Sequence, residues 1–282
     1  MIRSSTLAIG SSSAIFACGA ARLGLKVAFI GVCGDDVFGR FMLNEMQKRN
    51  VDVGNVIIRK NGQTGLSVIL NEDADRAILT HLGLIAELQA SDIADSLLRQ
   101  CRHLHVASYF LQTKLQPELT ALFQRAHSLG LTTSLDTNYD PSEKWLGFDE
   151  LLATTNVFLP NEAEAKSLTG AENIEESASR LKFALSGVEG SKTETVAVKL
   201  GAQGALGVSR SQSVRVDSIP VKVVDTVGAG DSFDAGFLYG YLNDWVLERS
   251  LRLACICGAL STQKAGGTES QPTLDEAMKY MP

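Results

Sequence analysis

The sequence predicts an α/β fold in which a mostly parallel central sheet is covered by helices on both faces. Short apolar runs alternate along the chain with segments in which apolar residues recur at helical spacing. Because each crossover helix covers one face of a parallel sheet, this alternation is typical of a sheet buried on both sides. The 282 residues, 45% of them apolar, are enough for a single domain of this kind.

The elements follow one another in a regular order. An apolar run at 25–34 that ends in glycine predicts a buried strand, and 36–50 has Phe38 and Phe41 at helical spacing. Further helices are predicted at 91–101, 117–130, 148–155, 161–170, 174–186 and 244–254, and further strands at 103–108, 131–138, 156–160, 195–201 and 221–225. Strands separated by helices in this way build parallel βαβ units.

Residues 53–82 interrupt this order. Two strand-like pieces, 53–60 and 64–80, follow each other closely, and the second contains turn residues at 71–75. Neighbouring strands joined by short turns pair antiparallel. The sequence therefore predicts a small antiparallel insert, which together with residues 1–10 is a candidate lid on the single domain 1–282.

The composition excludes several classes of function. A net charge of −6 argues against a nucleic-acid surface, which needs concentrated lysine and arginine. No apolar stretch reaches the roughly 18 residues of a membrane span, and serines and glycines interrupt the apolar start, unlike a signal peptide. We therefore expect a cytoplasmic protein without a membrane partner. His103 and His105 alternate as strand neighbours, and the five cysteines have apolar surroundings, so structural roles are expected for both.

One stretch near the C-terminus, VVDTVGAGDSFDAGF at 223–237, points to chemistry. Gly228, Ala229 and Gly230 carry little or no side chain, so their N–H groups can converge on an anion where a helix begins. Asp231 follows directly. It can cap the helix, or it can accept a proton from a hydroxyl that attacks a bound phosphate; this stretch alone favours neither role. A dinucleotide site is disfavoured, because phenylalanine stands where its motif needs a third glycine.

The same stretch closely resembles the C-terminal signature of the PfkB/ribokinase family of carbohydrate kinases, which is DTxGAGD followed by a phenylalanine and a helix. Five other stretches resemble the family's remaining motifs, in the family's order. They are GSSSAIFACGAARLG at 10–24, GVCGDDVFGRFM at 31–42, DTNYDPSEKW at 136–145, NEAEAKSLTG at 161–170 and VKLGAQGAL at 198–206. Six motifs in one order are far more specific than any one of them.

The resemblance implies a ribokinase-like fold with a small β lid that closes over a sugar, and ATP with Mg²⁺ as the phosphoryl donor. It assigns Asp231 as the general base that deprotonates a sugar hydroxyl. It assigns Gly228, Ala229 and Gly230 as the anion hole for the γ-phosphate. Because related kinases often pair their lids, it also implies a homodimer through the lid.

The resemblance assigns the remaining site residues position by position. Those expected at the nucleotide are Lys199, Gly201 and Thr226. Those expected at the sugar are Gly10, Ser11, Gly34, Asp36 and Asn138. Metal contacts are expected from Asn161 and Glu164, for Mg²⁺ through water, and from Asp225, for a monovalent cation such as K⁺.

The chain departs from the family pattern at the substrate end. Ser11 replaces a glycine, Ile15 replaces an asparagine that often binds sugar, and Asp140 replaces an arginine. Lys199 replaces a frequent threonine. The family's usual first strand, whose aspartate holds sugar hydroxyls, has no counterpart in the sequence. The leading hypothesis is an ATP-dependent sugar kinase, and the alternative is a catalytically impaired paralogue that binds nucleotide or sugar.

Overall fold

The computed structural model of the chain describes residues 5–72, 75–138, 140, 149–187 and 192–281. Its helices are α1 (Ser12–Arg22), α2 (Val37–Lys48), α3 (Asp95–Leu98), α4 (Leu119–Ser128), α5 (Asp149–Ala153), α6 (Glu162–Thr169), α7 (Ile174–Gly187), α8 (Ala229–Leu242), α9 (Leu247–Ser261) and α10 (Leu274–Met278). Its strands are β1 (Val27–Ala28), β2 (Val32–Gly34), β3 (Val51–Asp52), β4 (Ile57–Arg59), β5 (Leu66–Glu72), β6 (Asp75–His81), β7 (His103–Val106), β8 (Thr132–Leu135), β9 (Val157–Phe158), β10 (Thr195–Lys199), β11 (Ala205–Ser209) and β12 (Ser213–Val216). None of these helices is long and apolar enough to cross a membrane.

The central sheet has six strands in the order β12–β11–β10–β9–β8–β7. β7, β8, β9 and β10 are parallel, whereas β11 and β12 add antiparallel strands at one edge. The carboxyl ends of the four parallel strands therefore lie at one end of the sheet, with Asp136 directly after β8 and Lys199 at the end of β10. This arrangement confirms the mostly parallel α/β fold and decides where a site can form.

Helices pack on both faces of this sheet. Within β9, Phe158 packs in the core layer that contains Phe123 of α4, while Val157 packs in the layer that contains Phe237 of α8 and Leu251 of α9. The split between the layers follows from the two-residue period of a strand. All five side chains are at most 1% exposed. The sheet is therefore buried on both sides, as the continuous apolar strands predicted.

The apolar run at 25–34 departs from its prediction as one buried strand. It forms two short strands, β1 and β2, which pair in parallel with β3 and β4, and Ala28 is exposed. Within the described ranges, β1 and β2 have strand partners on one side only, and the same holds for β7. β1 and β2, together with β7, line an open groove of about 2190 Å³. Their partial burial follows, because one side of each borders the groove instead of another strand.

The insert at 53–82 is antiparallel only in part. β4, predicted as a piece of the insert, is parallel to β2, because α2 crosses over between the two. β5 and β6 form the antiparallel hairpin, with Val68 opposite Leu79. Residues 73–74 at its tip, and residues 1–4 of the predicted lid, lie outside the described residues. The lid role itself stays a prediction, carried by the hairpin at 66–81.

The segment 221–225 before α8, predicted as a strand, forms none in the structure. Val223 and Val224 are 56% and 59% exposed. The N–H groups of Val224 and Asp225 donate to one acceptor, the carbonyl of Thr262 after α9, at 2.8 and 3.0 Å. Val223 and Val224 thus lie at the surface in a loop that leads into α8, and backbone hydrogen bonds to Thr262 hold this loop against the end of α9.

Candidate active site

The N-terminus of α8 is open to an anion. Its N-cap residue, Gly228, has a φ of +75°, and a Cβ at this position would lie 2.8 Å from the Cα of Gly267. Both facts require glycine. No side chain in the described residues caps this helix, so the N–H groups of Gly230 and Asp231 have no acceptor within the helix and lie at the positive end of its dipole.

Asp231 is the third residue of α8 and not its N-cap, which is Gly228. Of the two roles that the sequence left open, capping at the N-cap position is thereby excluded. The Asp231 side chain is 8% exposed and forms a hydrogen bond with Ser12 at the start of α1. The carboxylate therefore lies at the junction of α8 and α1, directly beside the open helix end.

Ser12 connects Asp231 to the loop after β8. Its hydroxyl accepts a hydrogen bond from the side-chain amide nitrogen of Asn138 at 2.9 Å, and the side-chain oxygen of Asn138 accepts the N–H of Ser108 at 3.0 Å. Asn138 and Ser11 both have positive φ angles, 54° and 67°. The structure thus brings together residues predicted from three separate motifs. Ser12 was not among the predicted residues, and its position directly after Ser11 was the signal for it.

A buried cluster of four charged residues, Asp136, Lys199, Asp231 and Asp234, lies at this end of the sheet. The Lys199 ammonium is 2.8 Å from one oxygen of Asp136 and 3.2 Å from both oxygens of Asp234. The side chains of Lys199, Asp136 and Asp234 are 12%, 4% and 1% exposed. The nearest oxygens of the three aspartates lie within 4.8 Å of one another. Sequence reasoning placed Lys199 at the nucleotide and missed both of its carboxylate partners.

Burial and the ammonium act in opposite directions on these carboxyl groups. Burial, reinforced by the charge of Asp136, raises the pKa of Asp231 to about 7, and the charge of Lys199 limits the rise. Burial likewise raises the pKa of Asp234 well above its ordinary value. At Asp136 burial is outweighed by Lys199 and by hydrogen bonds, so the pKa falls to about 2. Near neutral pH, Asp136 is therefore ionised and Asp231 titrates, while burial favours the protonated form of Asp234.

The two residues predicted to hold Mg²⁺ form a capping box at the start of α6. Asn161 accepts the N–H of Glu164 at 2.9 Å, and Glu164 accepts from the backbone and the side chain of Asn161 at 2.9 and 2.7 Å. Glu164 is 3% exposed, and burial raises its pKa. Amide and carboxylate oxygens suit Mg²⁺. Because these oxygens already have protein partners, the ion fits here through its own water ligands.

Asp225, the predicted contact for a monovalent cation, joins two loops. Its carboxylate oxygens accept the N–H groups of Val227 and Gly266, both at 3.0 Å. Thr226 is next to it, and its carbonyl accepts the N–H of Ala229 at 3.3 Å. The loop before the open helix end is therefore held in place by its own hydrogen bonds.

Gly34 and Asp36 support the base of the hairpin. The N–H of Gly34 donates to the Thr64 hydroxyl at 2.9 Å. One oxygen of Asp36 caps α2 by accepting the N–H of Gly39 at 2.8 Å, and the other accepts the N–H of Thr64 at 2.7 Å. Although burial opposes the shift, these hydrogen bonds lower the pKa of Asp36. Both oxygens of this predicted sugar contact are thus engaged by the protein.

The open groove bounded by β1, β2 and β7 reaches the end of the central sheet at which Asp136 and Lys199 lie. Of the predicted residues, Gly10, Ser11, Asn138 and Asp225 line it, together with Ser12. Space is also open beside the predicted nucleotide residue Gly201, whose φ is +58° and where a Cβ would have no atom within 4 Å. Tyr139 and 141–148, part of the motif at 136–145, lie outside the described residues.

Comparison with known proteins agrees with this architecture. The model of the pfkB family of carbohydrate kinases matches residues 14–274. An uncharacterized sugar kinase of Archaeoglobus fulgidus is 32% identical over 262 residues, which are 90% of this chain and 98% of the relative. The ribokinase of Haemophilus influenzae is 29% identical over 276 residues, 98% of this chain and 88% of the relative.

Solved structures show the same fold. A fructokinase of Vibrio cholerae O395, in a form with bound fructose, ADP and a calcium ion, has a TM-score of 0.83 and 26% identity, covering 98% of this chain and 92% of its own. The adenosine kinase of Sinorhizobium meliloti has a TM-score of 0.84 and 25% identity, covering 97% of this chain and 83% of its own. With a ribokinase-like fold and a family match over nearly its whole length, the chain belongs to the pfkB family of carbohydrate kinases.

Proposed function

We propose that this carbohydrate kinase transfers the γ-phosphate of ATP to a hydroxyl of a small carbohydrate, with Asp231 as the general base. The observation that carries the proposal is a buried carboxylate beside a helix N-terminus that no described side chain caps. A carboxylate next to an anion site repels a phosphate unless it takes up a proton during the reaction. Accepting that proton from the attacking hydroxyl is the role of a base in phosphoryl transfer.

In the proposed reaction the O–H proton of the sugar passes to a carboxylate oxygen of Asp231 while the hydroxyl oxygen bonds to the γ-phosphorus. The bond from that phosphorus to the β–γ bridging oxygen breaks, and this oxygen leaves with the electron pair as part of ADP. The turn at Gly228, Ala229 and Gly230 would receive the charge that develops on the phosphoryl oxygens. The N–H of Gly230 has no acceptor within the helix, whereas that of Ala229 also donates to Thr226 at 3.3 Å. A pKa of about 7 keeps Asp231 partly ionised and still basic at neutral pH.

The other roles follow from position. We assign the sugar to the groove beside Ser12 and Asn138, because this pair is hydrogen-bonded and leads directly to Asp231. We assign the nucleotide to the side of Gly201 and Thr226, where the open space beside Gly201 leaves room for it.

The metal assignments keep the residues named by the resemblance. Asn161 and Glu164 would hold Mg²⁺ through water, and Asp225 would contact a monovalent cation such as K⁺. Bound Mg²⁺ supplies positive charge that neutralises the phosphate oxygens. The protein's own contribution is a rigid set of oxygens, since each of these side chains is already fixed by hydrogen bonds.

The names of the relatives define the substrates to test. They include the Haemophilus ribokinase, a 5-dehydro-2-deoxygluconokinase of Geobacillus thermodenitrificans that is 28% identical, and an ATP-dependent ribose-1-phosphate kinase of Halopiger xanaduensis that is 30% identical. The structures add the fructokinase and the adenosine kinase. We therefore propose a small carbohydrate as acceptor and test pentoses, hexoses, keto-deoxy sugars, sugar phosphates and nucleosides as separate classes.

The test measures ADP formation from ATP and Mg²⁺ across this panel, with wild type and Asp231→Asn side by side. We expect turnover with one class, and a loss of about 10²–10⁴-fold in kcat for Asp231→Asn. In wild type, kcat/KM should rise with pH and level off above about 7, where Asp231 is ionised. Undiminished activity of Asp231→Asn would remove the proposed base.

Calorimetric binding measurements with ATP and the same panel of sugars distinguish the kinase from the alternative, a catalytically impaired paralogue. Binding of ATP or of a sugar without any turnover, at saturating concentrations of both, would support a binding protein and contradict the kinase proposal. Asp231→Asn is again the control. If the carboxylate has no chemical role, this variant should bind ATP and sugar as wild type does and show no kinetic difference.

A further inference from the structure

Lys199 is engaged by carboxylates beneath the open end of α8. Its ammonium lies 2.8 Å from a carboxyl oxygen of Asp136 and 3.2 Å from one of Asp234. Among the described residues, it has no such contact with Asp231. The same nitrogen lies 3.7 Å from where a Cβ on Gly230 would be, so it is next to the first turn of the helix. With 12% of its side chain exposed, Lys199 is an internal cation more than a surface contact for phosphates.

We propose that Lys199 is a positioning residue for Asp231: its ammonium is a built-in counter-ion that joins Asp136 to Asp234 and leaves Asp231 free to take the proton of the acceptor hydroxyl. The kinetic part of this inference rests on the proposed function, whereas the charge coupling itself rests on the geometry alone. It replaces the contact between Lys199 and the nucleotide that the sequence suggested.

The physical argument concerns three carboxyl groups in one buried space. Carboxyl oxygens within 4.8 Å of one another, shielded from water, cannot all ionise, because each charge disfavours the next. The ammonium of Lys199 stabilises the ionised form of Asp136, which also forms a hydrogen bond with Asp234, and burial favours the protonated form of Asp234. Asp231, hydrogen-bonded to the hydroxyl of Ser12, is then the carboxyl group of the cluster that changes its protonation near neutral pH.

Charged groups face Asp231 from several elements. Asp136 after β8 disfavours its ionisation, and Lys199 of β10 favours it. Beyond the cluster, Glu164 of α6 acts on Lys199 and Asp136. His105 of β7 adds no charge, because burial lowers its pKa to about 3. In the part of the chain that the structure describes, the side-chain positive charge that acts on Asp231 comes from Lys199, so removing this charge should raise the pKa of Asp231.

The experiment compares Lys199→Met, Lys199→Arg, Asp136→Asn and the double variant Lys199→Met/Asp136→Asn. Lys114→Met, which removes a lysine from the surface ion pair with Glu87, is the matched control. The first readout is the pH dependence of kcat/KM for the best acceptor at saturating ATP. The second is KM for ATP, which a contact between Lys199 and the phosphates would change.

We expect Lys199→Met to raise the pH at which kcat/KM is half-maximal, on the acid limb of the profile, by about one unit. The loss is then about fivefold at pH 7, approaches tenfold at lower pH and recovers at higher pH. Asp136→Asn should lower the pH at which kcat/KM is half-maximal. The double variant should return this pH toward the wild-type value, because it removes both charges of the pair. Lys199→Arg should keep the limb close to wild type, and Lys114→Met should leave it unchanged.

A different pattern would overturn the inference. A folded Lys199→Met whose acid limb does not move, or whose defect is a raised KM for ATP at every pH, would assign Lys199 to the nucleotide instead. If Lys199→Met does not fold, Asp136→Asn and the double variant still decide, because an unmoved limb in Asp136→Asn contradicts the coupling.

A measurement without turnover separates this inference from the proposed function. The thermal midpoint of each variant is compared with that of its Asp231→Asn counterpart between pH 4 and 9, and the difference reports the ionisation of Asp231. If Asp231→Asn keeps its kinase activity, Asp231 is not the base. The charge coupling is still supported if the pH at which the two thermal midpoints diverge is higher in the Lys199→Met background than in wild type. An identical pH dependence in wild type and Lys199→Met contradicts it.

Discussion

Asp231 is a single residue whose burial favours the protonated state and so opposes folding at neutral pH. Its ordinary pKa of 3.8 is raised to about 7 in the folded chain. Between these two values the unfolded state has lost the proton and the folded state keeps it, so stability falls as pH rises through this window and the loss is complete above about 7. A buried carboxyl group whose pKa is raised to near neutral is typical of a catalytic acid or base.

The first prediction is therefore that Asp231→Asn is more stable than wild type at pH 8. The amide cannot ionise, so the loss that wild type suffers between pH 4 and 7 is removed. At about 1.4 kcal/mol for each unit of pKa, the gain is up to about 4 kcal/mol and several degrees in Tm. Near pH 4 the two proteins should unfold at similar temperatures. Calorimetric unfolding across this range checks the sign, and a difference that shrinks with rising pH would contradict it.

The glycines of the open helix end allow a matched pair of substitutions. We expect Gly228→Ala to lower stability by about 1–3 kcal/mol, since it places a side chain at φ +75° and 2.8 Å from the Gly267 backbone. Gly230→Ala meets only ordinary contacts with Lys199, at 3.7 Å, so it should fold as wild type does. Thermal unfolding distinguishes them.

If the anion hole is placed correctly, Gly230→Ala should still weaken catalysis, because its methyl group lies at the turn that approaches the phosphate. The measurement is kcat with saturating ATP and acceptor. Wild-type kcat in a stable Gly230→Ala would contradict the assignment of this turn to the transferred phosphoryl group.

At the scale of elements, α2 and the hairpin β5–β6 are joined through one carboxylate. Asp36 caps α2 with one oxygen and accepts the N–H of Thr64 at the base of the hairpin with the other. Two functions in one side chain explain why both oxygens are needed. This arrangement makes Asp36 a support for the candidate lid.

The third prediction follows from that geometry. In Asp36→Asn only one acceptor oxygen remains, so either the cap or the contact with Thr64 is lost, at about 1 kcal/mol. We expect a modest fall in Tm and a rise in KM for the sugar that is larger than the fall in kcat. Asp35→Asn, at an exposed neighbour paired with Arg40, is the control and should change neither. Equal effects of both substitutions would contradict the proposed support.

Elements also show why two predictions were wrong. The apolar run 25–34 has the composition of a buried strand, but burial depends on a partner at each side, and on one side it borders the groove. Segment 221–225 has the β-branched residues of a strand, yet it runs to the start of α8 with no ladder beside it. Strand composition therefore predicts a preference, and pairing decides the outcome.

At the scale of the whole molecule, the hairpin leaves one face uncovered. Val68, Leu70 and Leu79 point to the same side, by the register of β5 and β6, and are 46%, 47% and 62% exposed. An exposed apolar face on a two-stranded sheet needs cover. The homodimer through the lid that the sequence led us to expect would provide it.

The fourth prediction is that the protein is a dimer whose interface includes this face. The double variant Val68→Lys/Leu79→Lys should shift the mass measured by light scattering after gel filtration toward the monomer, because it places charges in an apolar contact. Val246→Lys, at a 71% exposed apolar residue elsewhere, is the control. A wild-type protein that is monomeric at high concentration would contradict the dimer.

The sequence by itself determined the alternation of helices and strands from 91 to 201 and the glycine turn that precedes α8 and Asp231. Each of these depends on residues within a few positions of one another, so a local pattern records them. Only the tertiary structure decided that Lys199 pairs with Asp136, 63 positions away, and with Asp234, 35 positions away. Ion pairs between separate elements leave no period or spacing in the chain. They arise because parallel strands end at the same side of the sheet, and that is where the charges of this site meet.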